Sequence, residues 1–74
     1  MQFYDAVYRA AKISGLTMEQ ISHKLGKTAS YITSSKARGS APKVDNAAKI
    51  LNACDFTLCA VPKDEVPEGA IVID

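Results

Sequence analysis

The chain predicts a mainly α fold, short helices followed by a C-terminal two-stranded β ribbon, and three observations carry that expectation. Apolar residues recur at helical spacing over Phe3–Ser14 and again over Lys43–Cys54. A capping box opens another helix at Met18. Two short β-rich runs, Phe56–Val61 and Ala70–Ile73, follow the last helix. At 74 residues, 47% apolar and 23% charged, the composition is ordinary for one globular core. A chain this short buries only about 60% of the surface its unfolded form exposes, so every element must contribute to that core.

In the first helix Phe3, Val7, Ala10 and Ala11 share one face with Tyr4 and Tyr8 beside it, which makes the tyrosines packing residues. Asp5 suits its first turn, Lys12 its last, and Gly15 can take the left-handed conformation that ends it. Thr17 and Gln20 then form the capping box, with Leu16 and Ile21 as a hydrophobic staple. Met18, Ile21 and Leu25 make the buried face of this second, two-turn helix, which Gly26 ends. The segment Ala29–Ala37 is rich in serine and threonine with Ile32 as its one large aliphatic residue, so propensity alone reads it as loop. After Pro42, the residues Val44, Ala47, Ala48, Leu51 and Cys54 form a further helical face. The acidic stretch Pro62–Gly69 links the two expected strands, and a two-stranded ribbon is marginal unless it packs on the helices or pairs with another chain.

The formal net charge is +1, an average over opposites. From Gln20 to Val44 there are Lys24, Lys27, Lys36, Arg38 and Lys43 and no acid, whereas Asp55, Asp64, Glu65, Glu68 and Asp74 face only Lys63 in the C-terminal part. Such asymmetry fits a polyanion-binding face set apart from an acidic one. Cys54 and Cys59, each among apolar neighbours, read as core residues, and one histidine, His23, completes no metal set. His23 itself reads as solvent-exposed. No Ser-His-Asp or Cys-His arrangement is available and no carboxylate pair has a pocket signature, so neither an enzyme nor a cofactor is expected. No apolar run reaches the roughly 18 residues of a membrane span and the N-terminus lacks a basic leader, so the expectation is a soluble, cytoplasmic protein without a membrane partner.

Two short helices joined by a turn containing Gly26, the second small, polar and flanked by cations, give the outline of a helix-turn-helix. The run Leu16-Thr17-Met18-Glu19-Gln20-Ile21-Ser22-His23-Lys24-Leu25-Gly26-Lys27-Thr28-Ala29-Ser30-Tyr31-Ile32, with Pro42 and Ala48-Lys49-Ile50-Leu51, resembles the phage repressor and Cro-like (XRE) DNA-binding family. Leu16-Thr17, Ile21, Leu25-Gly26, Ile32 and Pro42 carry the resemblance, which covers roughly residues 3–55. Four positions depart from the family pattern: Met18 replaces a Gln, Ser35 an aliphatic residue, Lys36 a Glu and Arg38 a Gly.

The resemblance implies a four-helix, repressor-like DNA-binding domain over residues 1–55, with residues 56–74 as a β extension for dimerisation or packing. It also implies a recognition helix from Ala29, with Ala29, Ser30, Thr33 and Ser34 at base-contacting positions and Tyr31 beside them. Hydroxyls can bond to several base edges, the Ala29 methyl can meet a thymine methyl, and no side chain here makes a bidentate contact, so DNA shape carries weight in the expected readout. Thr17, Lys27, Thr28, Lys36 and Arg38 match positions near the DNA backbone. The expected function is that of a small transcriptional regulator of prophage, mobile-element or antitoxin-like origin, binding double-stranded DNA as a homodimer through the C-terminal ribbon. The alternative is a protein-interaction module, such as a toxin-neutralising antitoxin, in which DNA binding is secondary.

Overall fold

In the computed structural model, which describes residues 1–74, four α-helices form the core: α1 (Phe3–Ser14), α2 (Met18–Lys24), α3 (Tyr31–Arg38) and α4 (Val44–Ala53). α1 contacts α2 and α4, and α2 contacts all three other helices. Val7, Ala10, Ala11, Ile21, Ile32, Ile50, Leu51 and Cys54 are the buried residues at the centre, with Phe3, Tyr4, Tyr8, Leu16, Met18 and Leu25 packed around them. Tyr4 and Tyr8 are thus packing residues, and Met18 turns an apolar side chain onto the core.

Helix boundaries follow local chemistry. The α2 capping box is formed, with the Thr17 hydroxyl accepting from the Gln20 amide at 3.1 Å and the Gln20 side chain accepting from the Thr17 amide at 2.8 Å. α1 ends in a Schellman motif on Gly15 (φ 72°), where the Leu16 amide reaches Ala11 O and the Gly15 amide reaches Lys12 O. The end of α4 repeats that geometry on a residue that is not glycine: Asp55 has φ 62°, the Phe56 amide bonds Leu51 O and the Asp55 amide bonds Asn52 O. The C-terminal carbonyls of α4 gain two further donors, Ser14 Oγ to Cys54 O at 2.7 Å and Lys24 Nζ to Ala53 O at 3.2 Å. Lys24 is therefore a cation at the negative end of a helix dipole.

The segment that propensity reads as loop is helical from Tyr31, because its neighbours supply what its sequence lacks. Ile32 is fully buried in the core and its amide bonds the buried Ser22 hydroxyl on α2. Ser35, at a core position with 4% exposure, donates its hydroxyl to Tyr31 O at 2.8 Å, so the burial leaves no polar atom unpaired. The helix begins two residues later than expected: Ala29 and Ser30 belong to the turn before it.

The C-terminal two-stranded β ribbon does not exist. No strand occurs anywhere in the chain, and the amides of Thr57–Val61 bond no backbone carbonyl. Residues 56–74 instead run as extended chain broken by a 3-10 turn, Lys63–Glu65, and a tight turn at Glu68–Gly69. A ladder of two short strands would offer few bonds against the closure of the proline-containing link 62–69, and it would have no third strand. The side chains of Phe56 and Ile71 pack individually against the helical core instead. The segment ends beside the N-terminus, where Asp74 pairs with the Met1 ammonium and donates its amide to Met1 O at 3.2 Å. The expectation that both cysteines are core residues holds for Cys54 alone, since Cys59 is exposed on this extended segment. No helix is long and apolar enough to cross a membrane.

Candidate nucleic-acid interface

With Ile32 and Ser35 turned into the core, the 100° step of an α-helix fixes what α3 shows to the outside. Ser30, Thr33, Ser34 and Ala37 lie opposite the buried pair, and all four are exposed. Ala29 and Thr28 are exposed in the preceding turn. The outward surface is therefore made of small side chains carrying only hydroxyls and methyls. Sequence reasoning picked Ser30, Thr33 and Ser34 but missed Ala37, which the buried residues alone would have located, one turn beyond Thr33 and Ser34.

The hydroxyls on this surface are not equivalent. Thr33 Oγ1 donates to Ser30 O at 3.0 Å, so its hydrogen is already used and it presents a methyl and an oxygen lone pair. Ser30 and Ser34 have no side-chain hydrogen bond within the protein and remain free to donate and accept. Thr17 is exposed but its hydroxyl oxygen holds the capping box.

The cations divide in the same way. Lys27 Nζ lies 5.5 Å from the centre of the Tyr31 ring at one end of α3. Arg38, in its last turn, donates to Ser35 Oγ at 3.2 Å. Neither has a carboxylate within ion-pairing distance, and Lys43 at the start of α4 is equally unpaired and exposed. Lys36 differs: its ammonium bonds Asp5 at 3.2 Å and sits 4.4 Å from the centre of the Tyr8 ring, both on α1. The sequence grouped Lys36 with the phosphate-facing cations, and the structure turns it toward α1. Tyr31 is half-buried, with its hydroxyl accepting from Asn46 Nδ2 at 3.3 Å, so it braces α3 against α4 on the opposite flank from Lys36.

The structure thus brings Ser30, Thr33 and Ser34 onto one face with Ala29 and Thr28 beside them, places Lys27 and Arg38 at its ends, and directs Lys36 and much of Tyr31 to holding the helix. An apolar groove of about 530 Å³, lined by Ala6, Leu51, Phe56, Leu58 and Ile71 among others, lies between the helices and the C-terminal segment. No three His, Cys, Asp or Glu side chains come together as a metal set. No protein-family model, curated protein or solved structure matches this chain.

Proposed function

We propose that the chain binds double-stranded DNA through the outward face of α3, as a small cytoplasmic transcriptional regulator in the manner of the repressor and Cro-like family that its α2–α3 segment resembles. The observation that supports this most is the combination of an exposed surface of small polar side chains with Lys27 and Arg38, unpaired by any acid, at its two ends. A major groove admits an α-helix whose outward side chains meet base edges, while cations on either side meet the phosphates that flank the groove. No acid occurs from Gln20 to Val44, so the stretch that carries α3 is cationic, which favours approach to a duplex. Two copies on one site would set two α3 helices in successive major grooves and roughly double the salt dependence of one copy.

The test is a gel shift on DNA flanking its own gene across a salt series. With about four phosphates neutralised per monomer, log K falls against log salt with a slope near −3.6. Replacing both Lys27 and Arg38 with Ala reduces that slope by about 1.8. Affinity for DNA that does not respond to salt defeats the reading.

A second reading rests on a different observation. Leu58, Val61, Val66, Val72 and Ile73 are between 38% and 54% exposed, and Asp64, Glu65 and Glu68 lie among them. An apolar, acidic surface of this kind suits a basic protein partner, such as the toxin of an antitoxin pair. Copurification with the product of the adjacent gene, unchanged by Thr33→Arg on the α3 face, supports that reading over the first.

A further inference from the structure

The outward face of α3 bears on which bases it reads. In a major groove, guanine is identified most strongly by Arg or Lys and adenine by Asn or Gln, through paired hydrogen bonds to their edges. None of those four residue types occurs at Ala29, Ser30, Thr33, Ser34 or Ala37. The cations around the face do not lie on it: Lys36 is held by Asp5 and Tyr8 on α1, Lys27 lies by the Tyr31 ring at one end of α3, and Arg38 hydrogen-bonds Ser35 at the other. What the face does carry is methyl groups. Ala29 and Ala37 offer a Cβ each, and the Thr33 hydroxyl is committed to Ser30 O at 3.0 Å, which fixes its rotamer and leaves Cγ2 as its free apolar atom. The one base-edge feature that a methyl recognises is the C5 methyl of thymine.

On the reading of α3 as a DNA-binding helix, we propose that its specificity is for thymine methyl groups, with Thr33 and Ala37 as the contacting residues and the free hydroxyls of Ser30 and Ser34 as secondary, less selective contacts. The short side chains are part of the device, because they let the helix backbone approach close enough for a methyl–methyl contact. The ligand class is a duplex whose half-site carries thymines on the strand facing α3.

The probe is a duplex selected by the full-length protein from a randomised pool, compared with the same duplex in which thymines are replaced one at a time by deoxyuridine. That replacement removes the methyl and keeps every hydrogen-bonding group. The expected result is a selected site containing thymine, and a loss of about fourfold in affinity for each contacted methyl removed. In Thr33→Ser, which deletes the partner methyl Cγ2 from the protein side and keeps the hydroxyl, the deoxyuridine penalty vanishes at one position. In Thr33→Val, which keeps a methyl, it persists. Salt-dependent binding that is indifferent to deoxyuridine, a selected site free of thymine, or a penalty unchanged at every position in Thr33→Ser each overturns this inference while leaving DNA binding intact. Failure to bind any duplex overturns the function reading, and this inference with it.

Discussion

Ser22 Oγ stands between two helices, donating to Met18 O of its own helix at 2.8 Å and accepting the amide of Ile32 from α3 at 3.4 Å. The Ile32 amide lies in the first turn of α3, where no carbonyl of that helix can reach it. One buried hydroxyl therefore satisfies a donor that would otherwise be stranded in the core, and it fixes where α3 begins relative to α2. Ser22→Ala should lower the unfolding free energy by about 1–2 kcal/mol, because the amide stays buried without a partner. Urea denaturation checks this, with an unchanged m-value expected.

Lys36 separates a structural role from a DNA-binding one. Both members of its pair with Asp5 are roughly half-exposed, at 45% and 49%, so the ion pair is screened and the contact with the Tyr8 ring shares the effect. Lys36→Ala should cost about 0.5–1.5 kcal/mol of stability. Asp5→Ala should cost a similar amount, and the double mutant should fall short of the sum. The salt slope of DNA binding should stay unchanged in Lys36→Ala, whereas Lys27→Ala should reduce it by about 0.9.

Asp55 occupies a left-handed backbone conformation at the end of α4, with φ 62°. Asp tolerates this region better than most residues but still pays for its Cβ there. Its ion pair with Lys24 is long, at 3.9 Å, and largely solvated, so little is lost with the side chain. Asp55→Gly should stabilise the protein by about 0.5–1 kcal/mol and Asp55→Ala should destabilise it, both read from thermal or urea midpoints.

Burial pushes the Cys54 thiol up to about 11 from 9.0, with the nearby Asp55 carboxylate adding to the shift and Lys24 opposing it. The folded state thus holds this proton more tightly than the unfolded chain does. The resulting stability is fully present below pH 9 and is lost as pH rises toward 11, an effect of about 2–3 kcal/mol. The alkaline loss of stability should be correspondingly shallower in Cys54→Ala than in the parent. In the native protein a thiol reagent at pH 8 should modify Cys59 rapidly and Cys54 only on unfolding.

Three of the four helices are legible in the sequence because each declares itself locally. Thr17 and Gln20 name the start of α2 and Gly15 the end of α1. Of the expected α4 face (Val44, Ala47, Ala48, Leu51 and Cys54), Ala47, Leu51 and Cys54 are buried while Val44 is exposed, and the fully buried Ile50 is not on it. α3 is not legible from propensity, since Ser34 and Ser35 favour loops and the helix exists because Ile32 and Ser22 dock it onto α2. The ribbon fails for the reverse reason. Phe56–Val61 has the composition of a strand, but composition cannot supply the neighbouring strand, and Phe56 and Ile71 find helices to pack on instead. Of the candidate interface, Ser30, Thr33 and Ser34 are picked out by the family resemblance, and their outward position follows once α3 is a helix that buries Ile32 and Ser35. The inward commitment of Lys36 is not, because it depends on Asp5 and Tyr8, far away in the chain.

The unpaired amides of Thr57–Val61 bear on the timescale on which different parts of the molecule open. A segment without a hydrogen-bond ladder has no cooperative structure to melt, so its amides exchange with solvent at nearly the rate of an unfolded peptide while those of the helices wait for the bundle to open. No helical hydrogen bond depends on residues 57–74, so opening of that segment should cost only the packing of Ile71 on the core and the contacts of Asp74 with Met1. Its apolar side chains are thereby available to a partner within the lifetime of the folded helices.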